Sequence, residues 1–441
     1  MNVLDGDERR AVLRGGGIRA LSAPLYALSV LIVTSVTVAG AGELFTRVSI
    51  VATLALLIPF ADLGLGAIIF NFCGVETPLI RVQKIVYSIT WVLASISLLI
   101  SGVGMLAVPM SWWSLILQSD IGRNESIVYT LALILFAVNM PLLTGSKILI
   151  ARNQNHHLST ISIAAPLVSI AAVLLFFVVD AWPPLYSLPL ILGYTVSNFS
   201  ATILAWRSLS LTIHGYFLNW RVRLPGTTSI LPMMIITVGL PVSTQIGRLQ
   251  VQEGSGSELS SYILATQLCT AVWSVLATAA AAFWPAFSRR RGDNKIAYGL
   301  WFRSSMIFIA VGLVVGTLFT VTLPLASILV SSGDIRTSHS LAIMLGLLLV
   351  VQCAHVVSGM LLTQPTEIWL QALSVSMVTL SVVLFGPTMV AKFGAVGATG
   401  SLVISILIFH FLVDIFLVPI RLSPPRPDAL FVQKNSTGRS S

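Results

Sequence analysis

Twelve long apolar runs separated by short polar connections set the limits on this chain. They cover residues 18–40, 44–71, 84–108, 126–150, 158–179, 185–206, 229–251, 260–286, 300–330, 338–362, 367–390 and 396–419. Each is at least about 20 residues long, the length of helix that crosses roughly 30 Å of hydrocarbon. In lipid every backbone N–H and C=O must be satisfied within the chain, which leaves helices or closed barrels. The runs do not alternate polar with apolar, as barrel strands do. Charged residues make up only 9% of the chain, against about a quarter in a soluble domain. The expected fold is an all-α polytopic membrane protein with 12 transmembrane helices.

The formal charge of +9 does not point to nucleic acid, because the basic residues sit in the connections as topology signals. Arg47, Arg123, Arg248, Arg336 and Lys392 fall on one side, and the other 20 of the 25 Lys and Arg fall on the opposite side. That bias predicts both termini in the cytoplasm. The opening MNVLDGDERRAVLRGGGIRA is polar, acidic then basic, and carries no cleavage site of the secretory kind. Cys73, Cys269 and Cys353 lie in or beside different runs without metal-ligand spacing, and read as buried, inert thiols. His156 and His157 read as solvated. Trp112, Trp113 and Trp182 read as interfacial anchors. SRRRGDNK (288–295) reads as a topology signal near anionic headgroups.

The connection 207–228 is the longest in the middle of the chain and divides six runs from six. The expected organisation is a six-helix bundle over 1–206, a cytoplasmic linker over 207–228, a second bundle over 229–420 related by a pseudo-twofold axis, and a tail over 421–441. The halves echo each other faintly. GIRALSAPLYALSVLIV and GTTSILPMMIITVGLPV each place a proline, Pro24 or Pro232, six or seven residues after a glycine. Interrupted helices at matching places in two halves point to a transporter built from repeats.

No connection is long enough to fold as a catalytic domain, so the chain is not expected to be an enzyme. GAGE (40–43) and GSGSE (254–258) lack the strand and the Lys-Ser/Thr ending of a phosphate loop. No cofactor is expected, and energy for transport must come from an ion gradient, the membrane potential or substrate supply.

Polar groups inside the runs become the candidate site. A charge at the bilayer centre costs on the order of 3 kcal/mol on insertion scales and faces a cavity or a partner. Asp62, in LIPFADLGLGAIIF (57–70), reads either as a cavity carboxylate or as a structural acceptor seated by close packing at Gly64 and Gly66. In HFLVD, His410 and Asp414 are four apart and share a helix face, which suits proton relay or, for Asp414, simple hydration. His355, with Gln352 one turn away, suits proton coupling or an interhelical hydrogen bond. Arg248, in STQIGRL with Gln245, and Arg47, one turn after Glu43, are candidate cavity cations for an anionic substrate. The blander reading of both arginines is snorkelling, with Arg47 tied to Glu43.

FADLGLGAIIFN resembles the DLGLG segment of Wzx-type flippases and related polysaccharide exporters, whose superfamily also holds multidrug and toxic-compound extruders. LPVSTQIGRLQVQ, LSSYILATQL and FWPAFSRRRG resemble the family's seventh and eighth spans. One departure stands out. The family often has an aspartate before the arginine, where this chain has Gly247. The resemblance implies a flippase in the bacterial inner membrane for surface polysaccharide such as O-antigen or lipopolysaccharide. It would move a polyprenyl-pyrophosphate-linked oligosaccharide to the outer leaflet through a polar, basic cavity. Its partners would be the lipid-linked oligosaccharide, membrane lipids and other polysaccharide-assembly membrane proteins, and not nucleic acid.

Two rivals remain. A cation-coupled multidrug antiporter of the same superfamily calls for acidic groups deep in a bundle; apart from Asp62 and Asp414, both near the cytoplasmic side, the runs have none, which counts against it. A membrane-embedded glycan polymerase or ligase calls for a large outer loop, and the longest here, 109–125, is short. The loop CGVETPLIRVQK lacks the GxxxDRxGRR-like pattern of major-facilitator sugar transporters.

Overall fold

A computed structural model of the chain describes residues 25–73, 77–152, 154–212, 215, 230–254, 258–281, 283, 287, 293–362 and 365–422. Pro24, most of the 207–228 connection, residues 288–292 of the basic segment and most of the 421–441 tail lie outside the described residues.

The described chain is helical throughout. α1 (25–41) leads through a tight turn at Gly42–Leu44 into α2 (Phe45–Ala52) and α3 (Leu54–Leu57), with α4 (Gly66–Phe72) beyond a break. α5 (Leu79–Ala107), the short α6 (Trp112–Leu117), α7 (Arg123–Ala151), α8 (Asn155–Ser162), α9 (Ala164–Val178) and α10 (Pro189–Ser208) complete the first half. The second half holds α11 (Ile230–Gly254), α12 (Leu259–Ala281), α13 (Asn294–Val330), α14 (His339–Leu361) and α15 (Pro365–Ile406). It ends in a π-turn (Leu407–Leu412) and α16 (Val413–Leu422).

Eight stretches among the described residues are long and apolar enough to cross a membrane. They are Leu25–Leu57, Leu79–Ala107, Arg123–Ala151, His157–Val178, Leu259–Ala277, Asn294–Val330, His339–Leu361 and Glu367–Leu422. The first contains Gly42 at φ 53° and the last contains Gly394 at φ 56°, each between two of the expected runs. Beyond Gly394 the chain folds back, since Ser405 donates to Ser381 at 2.9 Å. α10 and α11 coincide with two further runs but fall outside that apolar set.

Local chemistry sets the helix ends. Asp293 accepts from the backbone N–H groups of Lys295 and Ile296 at the start of α13, and Ser338 accepts from Leu341 at the start of α14. These are side-chain caps on orphan donors. The helices then meet through small residues, as in lipid, where dispersion rather than the hydrophobic effect drives association. A Cβ on Gly316 would fall 2.6 Å from the Gly346 carbonyl oxygen, so α13 and α14 touch backbone to backbone. Large apolar side chains such as Leu115, Val178 and Val321 stay exposed on the outer surface, as a lipid-facing shell requires.

Packing is concentrated inside each half: α7 on α5 and α10 in the first, α11 on α15 and α13 on α14 in the second. The halves meet where α2 lies on α12, and where α4 and the turn Ile58–Phe60 lie on α11. Thr46 and Ser260 share a 3.0 Å hydrogen bond, Thr34 donates to Gln267 at 3.2 Å, and Gln252 donates to the Leu117 carbonyl at 2.8 Å.

Two local expectations need revision. The second apolar run is not one helix. Pro59 supplies no N–H, and residues 61–65 form a turn before α4 begins. Trp113 is no interfacial anchor. It is buried and its indole N–H donates to Thr130 at 2.9 Å, whereas Trp112 and Trp182 are exposed. Pro232 lies in the first turn of α11 and Pro241 further inside it, while Pro24, the other half of the proposed echo, lies outside the described residues. The three cysteines are free and buried.

Candidate functional site

Asp62 explains the break in the second run. Its carboxylate accepts from the Gly64 N–H at 3.2 Å, and the Leu65 N–H reaches back to its carbonyl at 2.9 Å. Leu63 and Gly64 both take positive φ, 51° and 77°. Gly64 is required twice over: it holds that φ, and a Cβ there would lie 2.7 Å from the Met233 backbone carbon of α11. A Cβ on Gly66 would collide with the Asp62 carboxylate. The DLGLG segment is therefore a tight turn pressed against the other half. The second carboxylate oxygen of Asp62 pairs with Lys147 Nζ of α7 at 3.3 Å.

This turn forms part of the wall of a cavity of about 500 Å³. The first half contributes α3, the turn and Lys147, and the second half contributes α11, α12, α14, α15, the π-turn and α16. Most of the lining is apolar, with Trp273, Leu345, Met360 and Leu402 among it. Asp62, Lys147, Gln245, Arg248, His355, His410 and Asp414 interrupt that lining. The polar, basic interior implied by the family resemblance is thus an apolar chamber with a few charged groups.

Arg248 is 3% exposed. Its Nη2 donates to Thr266 at 3.3 Å, while Nε and Nη1 are buried with no hydrogen-bond partner. No carboxylate pairs with it among the described residues. A buried guanidinium with unused donors is costly and sits ready for an anionic acceptor. Gly247 beside it has a steric reason: a Cβ there would run into the Tyr262 hydroxyl. The space that an aspartate would need in the resembling family is taken here by a tyrosine. Gln245 and Gln352 also line the cavity, each with a buried, unpartnered Oε1.

At the far wall His355 Nδ1 meets Asp414 Oδ2 at 2.6 Å. The His410 and His355 rings lie 4.1 Å apart, centroid to centroid. The structure thus joins Asp414 to His355 across two helices, where spacing in the sequence joined it to His410. The cause is the π-turn at Leu407–Leu412. Its wider turn shifts the helical register between His410 and Asp414.

Arg47 lies away from the cavity. Its Nη1 sits 4.0 Å from Glu125 Oε1 and 3.5 Å from the Asp120 carbonyl, and Glu125 accepts from Tyr129 at 2.7 Å. The ion pair is with Glu125 rather than Glu43. Two wall residues escaped the sequence reading. Lys147 was counted only as a topology charge, although its place inside an apolar run, in TGSKILI, is a signal of a buried role. Tyr262 carries no sequence signal of its own.

No family model and no curated protein matches the chain. Solved structures do. An inward-facing multidrug resistance MATE family transporter of the MOP superfamily matches with TM-score 0.65 at 14% identity, over 93% of this chain and 98% of that one. An outward-facing structure of such a transporter matches with TM-score 0.62 at 12% identity, over 93% and 95%. A MOP superfamily transporter from Pyrococcus furiosus, described by a binding pocket of reverse polarity that suggests a different function, matches with TM-score 0.57 at 12% identity, over 93% and 95%. At these identities the likeness speaks for architecture: the chain has the fold of the MATE transporters of the MOP superfamily.

Proposed function

We propose that the chain is a cation-coupled antiporter of the MOP superfamily, exporting an amphipathic organic substrate by alternating access. In this reading twelve spans form two six-helix bundles, over 1–206 and 229–420, with both termini cytoplasmic in a bacterial inner membrane. The observation that carries it is the cavity of about 500 Å³, lined by both halves, mostly apolar and set with titratable groups. A volume of that order and a mostly apolar wall with a few placed polar groups suit a drug-sized organic molecule. The likeness to both inward- and outward-facing MATE structures supports a rocking motion of the halves. The test is purified protein in liposomes, loaded with a fluorescent lipophilic cation such as ethidium. A proton or sodium gradient should drive its efflux, and flux indifferent to both gradients overturns the reading.

One observation favours a second reading, the flippase for a polyprenyl-pyrophosphate-linked oligosaccharide. Arg248, buried with two unused donors and no carboxylate partner among the described residues, suits a pyrophosphate better than a cationic drug. In that reading membrane lipids and polysaccharide-assembly proteins are its partners. Deleting the gene and extracting lipids separates the two. Lipid-linked oligosaccharide trapped on the inner leaflet supports the flippase, and normal surface glycan with heightened drug sensitivity supports the antiporter. Under the flippase reading Arg248→Ala inserts normally and loses about 10- to 100-fold of export, the equivalent of one charged hydrogen-bond set. Full export by that variant removes Arg248 from the site.

A further inference from the structure

His355, Asp414 and His410 form a cluster whose chemistry goes beyond a general coupling site. His355 comes from α14, His410 from the π-turn and Asp414 from α16, and all three line the cavity. The 2.6 Å contact between His355 Nδ1 and Asp414 Oδ2 fixes the tautomer of the neutral ring. An ionised carboxylate only accepts, so Nδ1 carries the proton and Nε2 is left as the base. The His355 side chain keeps 22% of its surface exposed, open to the cavity. His410 is 2% exposed and its Nε2 has no partner. Two imidazolium rings at a centroid separation of 4.1 Å would repel, so the pair accepts one added proton rather than two.

The surrounding charges leave this arithmetic intact. On the cavity wall, Asp62 is neutralised by Lys147, Arg248 stands on α11, and Tyr262 and Cys269 come from α12. On the helices packed against the cluster, Lys295, Tyr298 and Arg303 of α13, Lys392 of α15 and Arg421 of α16 are exposed. Glu367 of α15 is half-buried, and Cys353 of α14 is buried. None of these last seven lines the cavity.

We propose that His355, Asp414 and His410 make a one-proton binding site open to the cavity. His355 takes the proton, Asp414 fixes its tautomer and balances its charge, and His410 limits occupancy to one. The cluster carries one negative charge when empty and is neutral when loaded, so proton loading changes the cavity by one unit. The link from this loading to transport rests on the transporter reading; the proton site itself does not.

The test is nitrogen NMR of ring-labelled histidines on the full chain in lipid nanodiscs, from about pH 5 to 9, where imidazole titrates. The chain has six histidines, and the variants His355→Gln and His410→Phe assign the two that matter. His355 should titrate, with its neutral form protonated on Nδ1, while His410 stays neutral across the range. His355→Gln should remove one titrating ring, and His410→Phe should keep the titration of His355. Asp414→Asn should leave neutral His355 as a mixture of tautomers; if that variant fails to insert, the other two carry the test. A His355 ring that never titrates, a neutral ring protonated on Nε2, or both rings charging together overturns the proposal. This readout is protonation and not flux. Titration as described in a chain that moves no solute supports the site and sinks the transporter reading separately.

Discussion

Gly64 holds a backbone conformation and a gap that no side chain fits. Its φ is 77°, and a Cβ would press on Met233 of the other half. Gly64→Ala should therefore destabilise the protein by about 1–3 kcal/mol. Gly400, with nothing within 4 Å of a built Cβ, should tolerate alanine without loss. Thermal unfolding in detergent, compared for the two variants, checks this. Asp62 and Lys147 make a second prediction. Removing either member separates the other from the opposite charge 3.3 Å away, and breaking a buried ion pair this way costs on the order of 3–5 kcal/mol. Asp62→Asn and Lys147→Met should each lower the unfolding temperature, and the double variant should recover most of the loss. Additive losses in that cycle would remove the pair from the account. At this scale the sequence was partly legible. A carboxylate beside two glycines in an apolar run signals a buried turn, and the resemblance carried by DLGLG falls on that turn. Its partner was hidden, because Lys147 lies 85 positions away in the chain and pairing across helices leaves no local pattern. Arg47 was misleading for the same reason: its neighbour in sequence is Glu43, its neighbour in space is Glu125.

Among the elements, the two irregular stretches carry the site. The break at 58–65 lets the second run bend against α11, and the π-turn at Leu407–Leu412 brings Asp414 to His355. A π-turn is equivalent to one residue inserted in an α-helix. Inserting one alanine after Leu412, where the α-helix resumes, should rotate Asp414 and the residues beyond it by about 100°. The variant should insert and keep its helix content by circular dichroism, yet lose the Nδ1-protonated form of His355. An unchanged His355 spectrum would show that the helical register after the π-turn does not set the pair. Apolar length and composition made the helices legible from the start. The irregular turns were not, since Pro59 and the HFLVD segment sit within apolar runs that look continuous. The cost of those bends is met by packing from neighbouring helices, which composition does not record.

For the whole molecule, the proposed transport turns on the two halves rocking around the cavity they share. Their packing is internal to each half, and they meet through a few polar contacts and the Gly64–Met233 approach. The sequence suggests a division as six runs on each side of the 207–228 connection, most of which lies outside the described residues. Which half holds most of the cavity was not legible, because that depends on how helix faces turn toward one another. The most direct measurement is pulsed electron–electron distance spectroscopy. Spin labels would replace the exposed Leu115 on α6 and Leu249 on α11, one in each half, in lipid nanodiscs. The account predicts two distance populations whose ratio shifts with pH. A single distance, unmoved by pH or by an added proton gradient in vesicles, would contradict it.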